Sequence, residues 1–319
     1  MLILCKNRDK LLSEFKFRIA DEADLPNLLE LWTAVLNPDT AVFTSMYHSC
    51  PSIKRRTFVA EFEGKIVASV QLFILPVRDE MYKPVFIGAI ANVSTSPDFR
   101  HKGLSTKLLN DAYEDMKAAG CAWSYLFTGI APFYERLGWR SLHRTLLSVK
   151  LKKGMFEDVQ SDVSIWPEPD VDRLHELNES SFVSPLTQIR TDLDWKTKIP
   201  PRLASKTVFM GDDSYAIVRC DENRAVLEEW AMPEASIPRF QHLIEVVSKW
   251  AGEEGKDRLL ITAPIHAEAR QALETLFPYI DEMDVADSMV RPVSARWPIS
   301  RIMSLFLLPE AKFLTLDSF

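Results

Sequence analysis

The fold is decided by residues 92–105, Asn92 to Ser105, which read NVSTSPDFRHKGLS. Residues 84–95 are apolar at both alternating sets of positions, as in a strand that is buried on both faces. After Ser96-Pro97 and a short loop, apolar residues recur at helical spacing from Gly103 to Ala119. The stretch therefore predicts a buried strand, a loop and a helix that begins at a glycine.

This junction has the features of an anion-binding site. A helix N-terminus presents unpaired backbone N–H groups and a partial positive charge. Gly103 has no Cβ to block a close approach to the backbone, and Arg100, His101 and Lys102 add positive charge beside it. The alternative is a tight strand-to-helix turn whose basic residues are solvated. The combination of strand, glycine and basic cluster favours binding of a phosphate-like anion.

The flanking sequence predicts a compact α/β unit. A helix is expected after Asp24, which is a plausible N-cap, and Gly64 lies at the turn of a β-hairpin. Pro132 opens a short helix that ends near Gly138. The predicted strands are residues 17–19, 57–62, 66–75, 84–95, 123–128 and 146–151, the last of which is expected to close the unit.

The second half repeats this order of elements after a charged, proline-containing linker at residues 152–169. A strand, a helix from Val171, a hairpin, another strand, a helix, a strand and a final helix follow in turn. We interpret this as an old duplication, on pattern and not on a detectable sequence repeat. The fold class is then α/β with a mixed sheet in two tandem units. The predicted domains are residues 1–152, 153–295 and a C-terminal tail, 296–319.

Two motifs resemble those of one enzyme superfamily. Arg100-x-x-Gly103-x-Ser105 resembles the Q/R-x-x-G-x-G/A signature of the GNAT (GCN5-related N-acetyltransferase) superfamily, which binds the pyrophosphate of coenzyme A. Ser105 departs from the usual glycine or alanine at the final position. The segment from Phe133 to Trp139, FYERLGW, is similar to the second cofactor motif of that superfamily. The resemblance covers residues 16–150 closely.

The tandem arrangement resembles a subgroup, the enhanced-intracellular-survival (Eis-like) proteins. The resemblance implies the acyl-CoA N-acyltransferase fold with acetyl-CoA as cosubstrate, and backbone groups of Val93 and Thr95 on its acetyl carbonyl and pantetheine arm. A third, sterol-carrier-like domain is common in that subgroup, and residues 296–319 are too few for it. The expected cofactor-binding residues are Val93, Thr95, Arg100, His101, Lys102, Gly103, Leu104 and Ser105.

Tyr134 is the expected catalytic acid, mainly on the strength of the resemblance. Attack of an amine on a thioester requires a proton for the departing sulfur, which a phenol can donate. The alternative is that Tyr134 only packs in the core. The general base is left open, because residues 85–95 contain neither Glu nor His. His48 and the C-terminal carboxylate of Phe319 are the two alternatives.

The second unit is expected to lack the cofactor site. Where the Arg-x-x-Gly motif would stand, residues 231–238 contain Pro233 and Pro238, which remove backbone donors. Glu228, Glu229 and Glu234 would repel a phosphate. One active site per chain follows, and the second unit is expected to be a scaffold, a dimer surface or a wall of the acceptor pocket.

The charge distribution gives a weaker indication of the acceptor. Lys and Arg outnumber Asp and Glu by 19 to 16 in residues 1–150 but trail them by 19 to 29 in residues 151–319. An acidic half favours a cationic acceptor and disfavours nucleic acid, although it also serves solubility. The four widely spaced cysteines predict neither a disulfide framework nor a metal site. With no signal peptide and no membrane span evident, a cytoplasmic protein is expected.

These observations predict an N-acetyltransferase that moves an acetyl group from acetyl-CoA to a primary amine. The acceptor is expected to be a cationic small molecule or a lysine-like amine, acetylated directly in a ternary complex. The alternative is a non-catalytic acyl-CoA-binding or assembly module. Homo-oligomerisation is left open.

Overall fold

The structure is a computed structural model that describes residues 12–36, 44, 56–181, 183–233, 236–262, 267–308 and 311. Strands and helices alternate through the first half much as the sequence predicts. The elements are β1 (Lys16–Ile19), α1 (Leu25–Leu36), β2 (Thr57–Phe62), β3 (Lys65–Arg78), β4 (Pro84–Thr95), α2 (Leu104–Ala118), β5 (Trp123–Phe127), α3 (Ala131–Glu135) and β6 (Arg140–Lys150).

The second half follows the same order with additional short helices. Its elements are β7 (Ser164–Ile165), α4 (Val171–Ser180), α5 (Asp192–Thr197), α6 (Ile199–Leu203), β8 (Lys206–Met210), β9 (Tyr215–Cys220), β10 (Arg224–Ala231), α7 (Ile237–Glu253), β11 (Arg258–Ile261), α8 (Ala267–Leu276), β12 (Ile280–Pro292) and α9 (Ile299–Phe306). The mixed α/β fold with tandem halves is confirmed.

The twelve strands of the described residues form one sheet, in the order β1-β2-β3-β4-β5-β12-β6-β11-β10-β9-β8-β7. Strand β12 of the second half lies between β5 and β6 of the first, and pairs antiparallel with both. Strand β6 in turn lies between β12 and β11 and pairs antiparallel with β11. The two halves therefore exchange their last strands, and each exchanged strand is interior to the sheet.

This exchange corrects two expectations. The strand predicted at residues 146–151 begins at Arg140, and it does not close the first half, because both of its neighbours come from the second half. Strand β12 was not predicted at all. The expected N-cap Asp24 is also wrong: Asp21 caps a 3₁₀ turn at Glu22–Asp24, and Asp24 completes its capping box.

The sheet carries a hydrophobic core on each face. On one face Leu28 and Trp32 of α1 and Ile302 of α9 pack over Ile87 and Tyr125. On the other face α2 packs through the residues that the helical periodicity predicts, and the cluster extends to α3 and to β12. The buried residues of α2 are Leu104, Leu108, Leu109, Ala112 and Met116.

Close packing of α2 on β4 requires a glycine in the strand. A Cβ at Gly88 would lie 2.5 Å from the Met116 side chain, so a larger residue would force that side chain to move. Met116 itself is fully buried. Gly88 therefore provides the space that Met116 of α2 occupies against β4.

Within the described ranges, no helix combines the length and the apolar character needed to cross a bilayer.

Candidate active site

Strands β4 and β5 separate partway along their length. They pair in parallel only from Gly88–Ser124 to Ile90–Leu126. Beyond Ile90, the edge of β4 that faces β5 has no strand partner among the described residues. On this edge, the remaining backbone of β4 up to Thr95 therefore lacks a β-ladder partner and can face a ligand that enters between the two strands.

A bulge in β4 accompanies this separation. Between the pairs Gln71–Ala91 and Ser69–Ser94, the two residues Asn92 and Val93 of β4 lie opposite one residue of β3. Asn92 adopts a left-handed conformation, with φ of 48°. A bulge bends a strand and increases its twist, so it turns the end of β4 away from β5.

Hydrogen bonds hold the bulge in place from the neighbouring strand. The Ser69 hydroxyl donates to the carbonyl oxygen of Asn92 (3.2 Å) and accepts from Trp32 Nε1 (2.9 Å). The Asn92 side-chain amide donates to Gln71 Oε1, and Gln71 Nε2 donates to Thr57 Oγ1 (3.1 Å). Because these groups are largely buried, the opening between β4 and β5 is preorganised.

The loop after β4 delivers the chain to the N-terminus of α2. Pro97–Phe99 forms a 3₁₀ turn, and His101 and Gly103 have φ angles of 63° and 86°. Gly103 is the N-cap and no side chain caps the helix. The first intrahelical bond runs from the Lys107 N–H to the Gly103 carbonyl (3.0 Å), so the N–H groups of residues 104–106 precede it. Such a terminus is suited to an anion.

Three of the predicted cofactor-binding residues are in direct contact. The hydroxyls of Thr95 and Ser105 are hydrogen-bonded at 2.6 Å, and Arg100 Nε donates to the Thr95 carbonyl (3.3 Å). The Thr95–Ser105 bond ties the end of β4 to the first turn of α2. It gives a structural reason for serine at a position where the superfamily motif has glycine or alanine.

The other predicted residues take different positions around this loop. Lys102 Nζ lies 5.0 Å from the ring centroid of Phe99, in a cation–π contact. Arg100 and His101 are exposed. The side chains of Val93 and Leu104 pack in the core beneath α2, so these two residues have only backbone groups to offer a ligand.

Tyr134 lies on α3, in the same core cluster as Leu104. It is 5% exposed and packs edge-to-face against Phe133 and Trp139, with ring centroids at 4.9 and 6.1 Å. Burial raises the pKa of Tyr134 to about 12. The phenol therefore keeps its proton throughout the physiological pH range, which a proton donor requires.

An arginine from the exchanged strand supports this region, and no sequence pattern predicted its role. Arg291 of β12 lies over the rings of Tyr113 and Trp139, with its guanidinium carbon 3.6 and 4.8 Å from their centroids. Its Nη1 is buried, and no described residue accepts a hydrogen bond from it. A Cβ at Gly138, where φ is 94°, would lie 3.2 Å from Arg291 Nε.

The corresponding place in the second half is filled by paired charges. Strand β10 has a bulge at Glu228, between the pairs Leu227–Val218 and Glu229–Ile217. Arg219 Nε donates to Glu228 (2.8 Å), which also binds Lys206. Glu229 is completely buried and forms a bidentate pair with Arg190 (2.9 and 2.7 Å). The carboxylates of Glu228 and Glu229 are therefore both neutralised by basic side chains. The bulge is retained, but salt bridges occupy its surroundings.

Several sequence-derived alternatives lie elsewhere. His48 and Phe319, the two alternatives for the general base, are outside the described residues, as is Glu234. Among the described residues no cluster of His, Cys, Asp and Glu could hold a metal ion.

Comparison with known proteins identifies a known domain in the first half. Residues 16–142 match the sequence model of a family described as acetyltransferase (GNAT) domain. No curated protein matches the sequence significantly.

Solved structures of similar fold cover both halves. A probable N-acyltransferase from Enterococcus faecalis has a TM-score of 0.64 at 13% identity, over 88% of this chain and 73% of that one. A GCN5-related N-acetyltransferase from Kribbella flavida has a TM-score of 0.63 at 14% identity, over 88% and 72%. Eis1 from Mycobacterium abscessus has a TM-score of 0.60 at 12% identity, over 88% and 73%.

The domain match concerns the first half of the chain. Residues 16–142 match an acetyltransferase (GNAT) domain, and this matched region contains the separated β4 and β5 strands and the N-terminus of α2. The solved structures show that the chain shares their fold.

Proposed function

We propose that the protein transfers an acetyl group from acetyl-CoA to a primary amine, directly and within a ternary complex. The observation that carries the proposal is the uncapped N-terminus of α2 at Gly103, placed beside the opening between β4 and β5. A helix N-terminus can bind a pyrophosphate, and the open edge of a strand can form hydrogen bonds with the amides of a pantetheine arm.

The residues present fit coenzyme A. The first-turn N–H groups of α2 and the exposed Arg100 and His101 would hold the pyrophosphate, with Lys102 close by. The backbone of Val93 and Thr95, beyond the last β4–β5 pair, would hold the pantetheine arm and the thioester carbonyl. When bound, acetyl-CoA supplies the activated acyl group.

The reaction moves protons at both the acceptor and the leaving group. An ammonium acceptor loses one proton before it attacks and a second as the C–N bond forms, while the C–S bond breaks and the departing thiolate gains one. We assign the donor to Tyr134, whose raised pKa keeps it protonated, and solvent restores its proton afterwards. An amine with a pKa of about 10.4 must lose its proton to a base, which is left open between His48 and the Phe319 carboxylate.

The second half completes the fold without a second cofactor site. Buried salt bridges occupy the place of the bulge, and Pro238 lies at the start of α7. We propose domains at residues 1–152 and 153–295 with a tail at 296–319, in the tandem arrangement of Eis-like proteins. The excess of acid in residues 151–319 favours a cationic small molecule or a lysine-like amine as acceptor.

Two measurements on the full chain test the proposal. Thermal unfolding is followed with acetyl-CoA and with free CoA, and both are expected to raise the midpoint. Release of CoA is then followed over a panel of primary amines. Stabilisation without turnover on any amine would favour the alternative of a non-catalytic acyl-CoA-binding module, and no stabilisation by either compound would contradict both functions.

A further inference from the structure

A cavity of about 510 Å³ lies on the opposite face of the sheet from α2. Strands β5, β6 and β12 form its floor through Tyr125, Leu142 and Ser288, and Phe306 at the end of α9 forms one wall. Tyr125 stacks on Phe306 with an interplanar angle of 1° and a centroid distance of 5.6 Å. The volume is within the range of small-molecule sites.

The cavity reaches β5 at Tyr125, close to the point where β5 separates from β4. Tyr125 of β5 pairs with Ala89 of β4, one residue before the last pair between the two strands. Phe127, two residues after Tyr125, ends β5. The rings of Tyr125 and Phe127 are in edge contact at 5.2 Å. Since α2 approaches from the other face, a molecule in the cavity would meet the thioester from the side that the cofactor's pyrophosphate does not use.

The lining of the cavity is mainly apolar. Leu146, Leu147 and Leu186 are all at most 7% exposed and join Leu142 and Phe306 around it. Buried leucines offer dispersion contacts and no hydrogen bonds, so they favour hydrocarbon and exclude an unpaired polar group.

The basic residues of the lining are already paired. Arg144 binds Asp287 through two hydrogen bonds (3.2 and 2.8 Å), and His143 Nδ1 lies 2.9 Å from Asp284. Arg270 donates to Glu274 (3.1 Å) and also binds Glu282. Because both arginines are held by carboxylates, the described lining offers no unpaired guanidinium to an anionic ligand.

We propose that this cavity binds the apolar body of the acceptor, so that the preferred acceptor is a hydrophobic monoamine, an alkylamine or arylalkylamine. The single amino group faces the opening between β4 and β5, and the hydrocarbon fills the cavity. This rests on the proposed function and narrows its acceptor class, because polyamines and aminosugars would have to bury polar or charged groups against leucine.

The test compares acceptors that differ only in the buried part. With saturating acetyl-CoA, kcat/KM is expected to rise about fourfold for each methylene added from butylamine to octylamine. The reason is that each added methylene is transferred from water into the apolar cavity. The matched acceptor 1,8-diaminooctane, which has the same chain and a second ammonium, is expected to lose most of that gain. Equal or better use of the diamine or of an aminosugar would overturn the proposal.

A variant links the effect to the cavity. Ala267 lines the cavity at the exposed start of α8, so Ala267→Phe fills space without disturbing a core. It is expected to lower kcat/KM for octylamine at least tenfold, with the loss growing along the alkylamine series. Ala204→Phe is the control, because Ala204 is an exposed alanine that is not part of the cavity.

The outcomes separate the two proposals. Unchanged octylamine kinetics in Ala267→Phe, with turnover intact, would overturn the cavity assignment and leave the acetyltransferase function standing. Failure of every amine to be acetylated, with acetyl-CoA still raising the thermal midpoint, would overturn both.

Discussion

The guanidinium carbon of Arg291 lies 3.6 Å from the ring centroid of Tyr113, so a residue of the last strand is packed against the helix that begins at Gly103. On its other side Arg291 covers Trp139, which in turn packs against Tyr134. The Tyr113 hydroxyl donates to the Pro292 carbonyl (2.8 Å) and reinforces the contact. Strand β12 thus supports both the helix and the turn that form the candidate site.

Replacement of Arg291 by alanine is expected to lower the free energy of unfolding by about 2–4 kcal/mol, because it leaves a cavity between two rings. Arg291→Met is expected to lose less than about 1.5 kcal/mol, since burial already lowers the pKa of this guanidinium and an apolar chain fills the same space. Denaturant unfolding measures both. A methionine variant as unstable as the alanine variant would show that the charge itself is needed.

Tyr134→Phe is expected to lower kcat by about 10²–10⁴-fold with little change in fold, because it removes one buried hydroxyl and keeps the ring packing. The matched control is Tyr279→Phe, since Tyr279 is 83% exposed on the second half. Full activity of the Tyr134 variant on a working amine would exclude the acid role.

Tyr134 also affects how stability and reaction rate depend on pH. The folded pKa of Tyr134, raised to about 12, lies above its unfolded value near 10. Its neutral form is therefore retained in the native state, and its contribution to stability is lost as pH rises above 10 and towards 12. The rate should show no decline from Tyr134 ionisation between pH 6 and about 10. An alkaline limb near pH 8 that disappears in Tyr134→Phe would contradict the raised pKa.

Gly103→Ala is expected to raise the KM for acetyl-CoA about tenfold, the equivalent of one weakened charge-assisted hydrogen bond. The φ of 86° also imposes a strain of about 1–2 kcal/mol on alanine. Gly120→Ala, at the other end of the same helix, has a φ of 74° and open space around its Cβ. It should show the same loss of stability with an unchanged KM. Equal effects on KM would indicate general strain in α2.

The buried pair Arg190–Glu229 gives a prediction for the second half. Either Arg190→Met or Glu229→Leu alone is expected to lower the free energy of unfolding by about 3–5 kcal/mol, because each leaves one buried charge without its partner. The double variant should recover much of this loss, although the Tyr215 hydroxyl then loses its acceptor on Glu229. A strictly additive double variant, measured by denaturant unfolding, would argue against coupling.

Local patterns were sufficient for much of the fold. Apolar runs and turns predicted β2, β3 and β4, and the periodicity after Gly103 predicted the buried face of α2. The candidate site was found from the same signals, because an anion site at a helix N-terminus is local in sequence.

The pairing of strands that are distant in the chain could not be predicted from local sequence patterns. Strand β12 carries Asp281, Glu282, Asp284 and Asp287, and its first half is largely exposed, so it lacks the apolar pattern of an interior strand. Its acids find partners only in the folded protein, including Arg258 for Asp281 and Arg144 for Asp287. The contribution of Arg291 was missed for the same reason, since it depends on where β12 inserts.

The exchange of β6 and β12 has a consequence for synthesis on the ribosome. The edge of β5 that β12 covers stays open until residues 280–292 have emerged, although the proposed cofactor-binding residues, which end at Ser105, are translated much earlier. The N-terminal half therefore presents an unpaired strand edge for much of the chain's elongation. The sheet around β5 is completed only when β12 is available to pair with it.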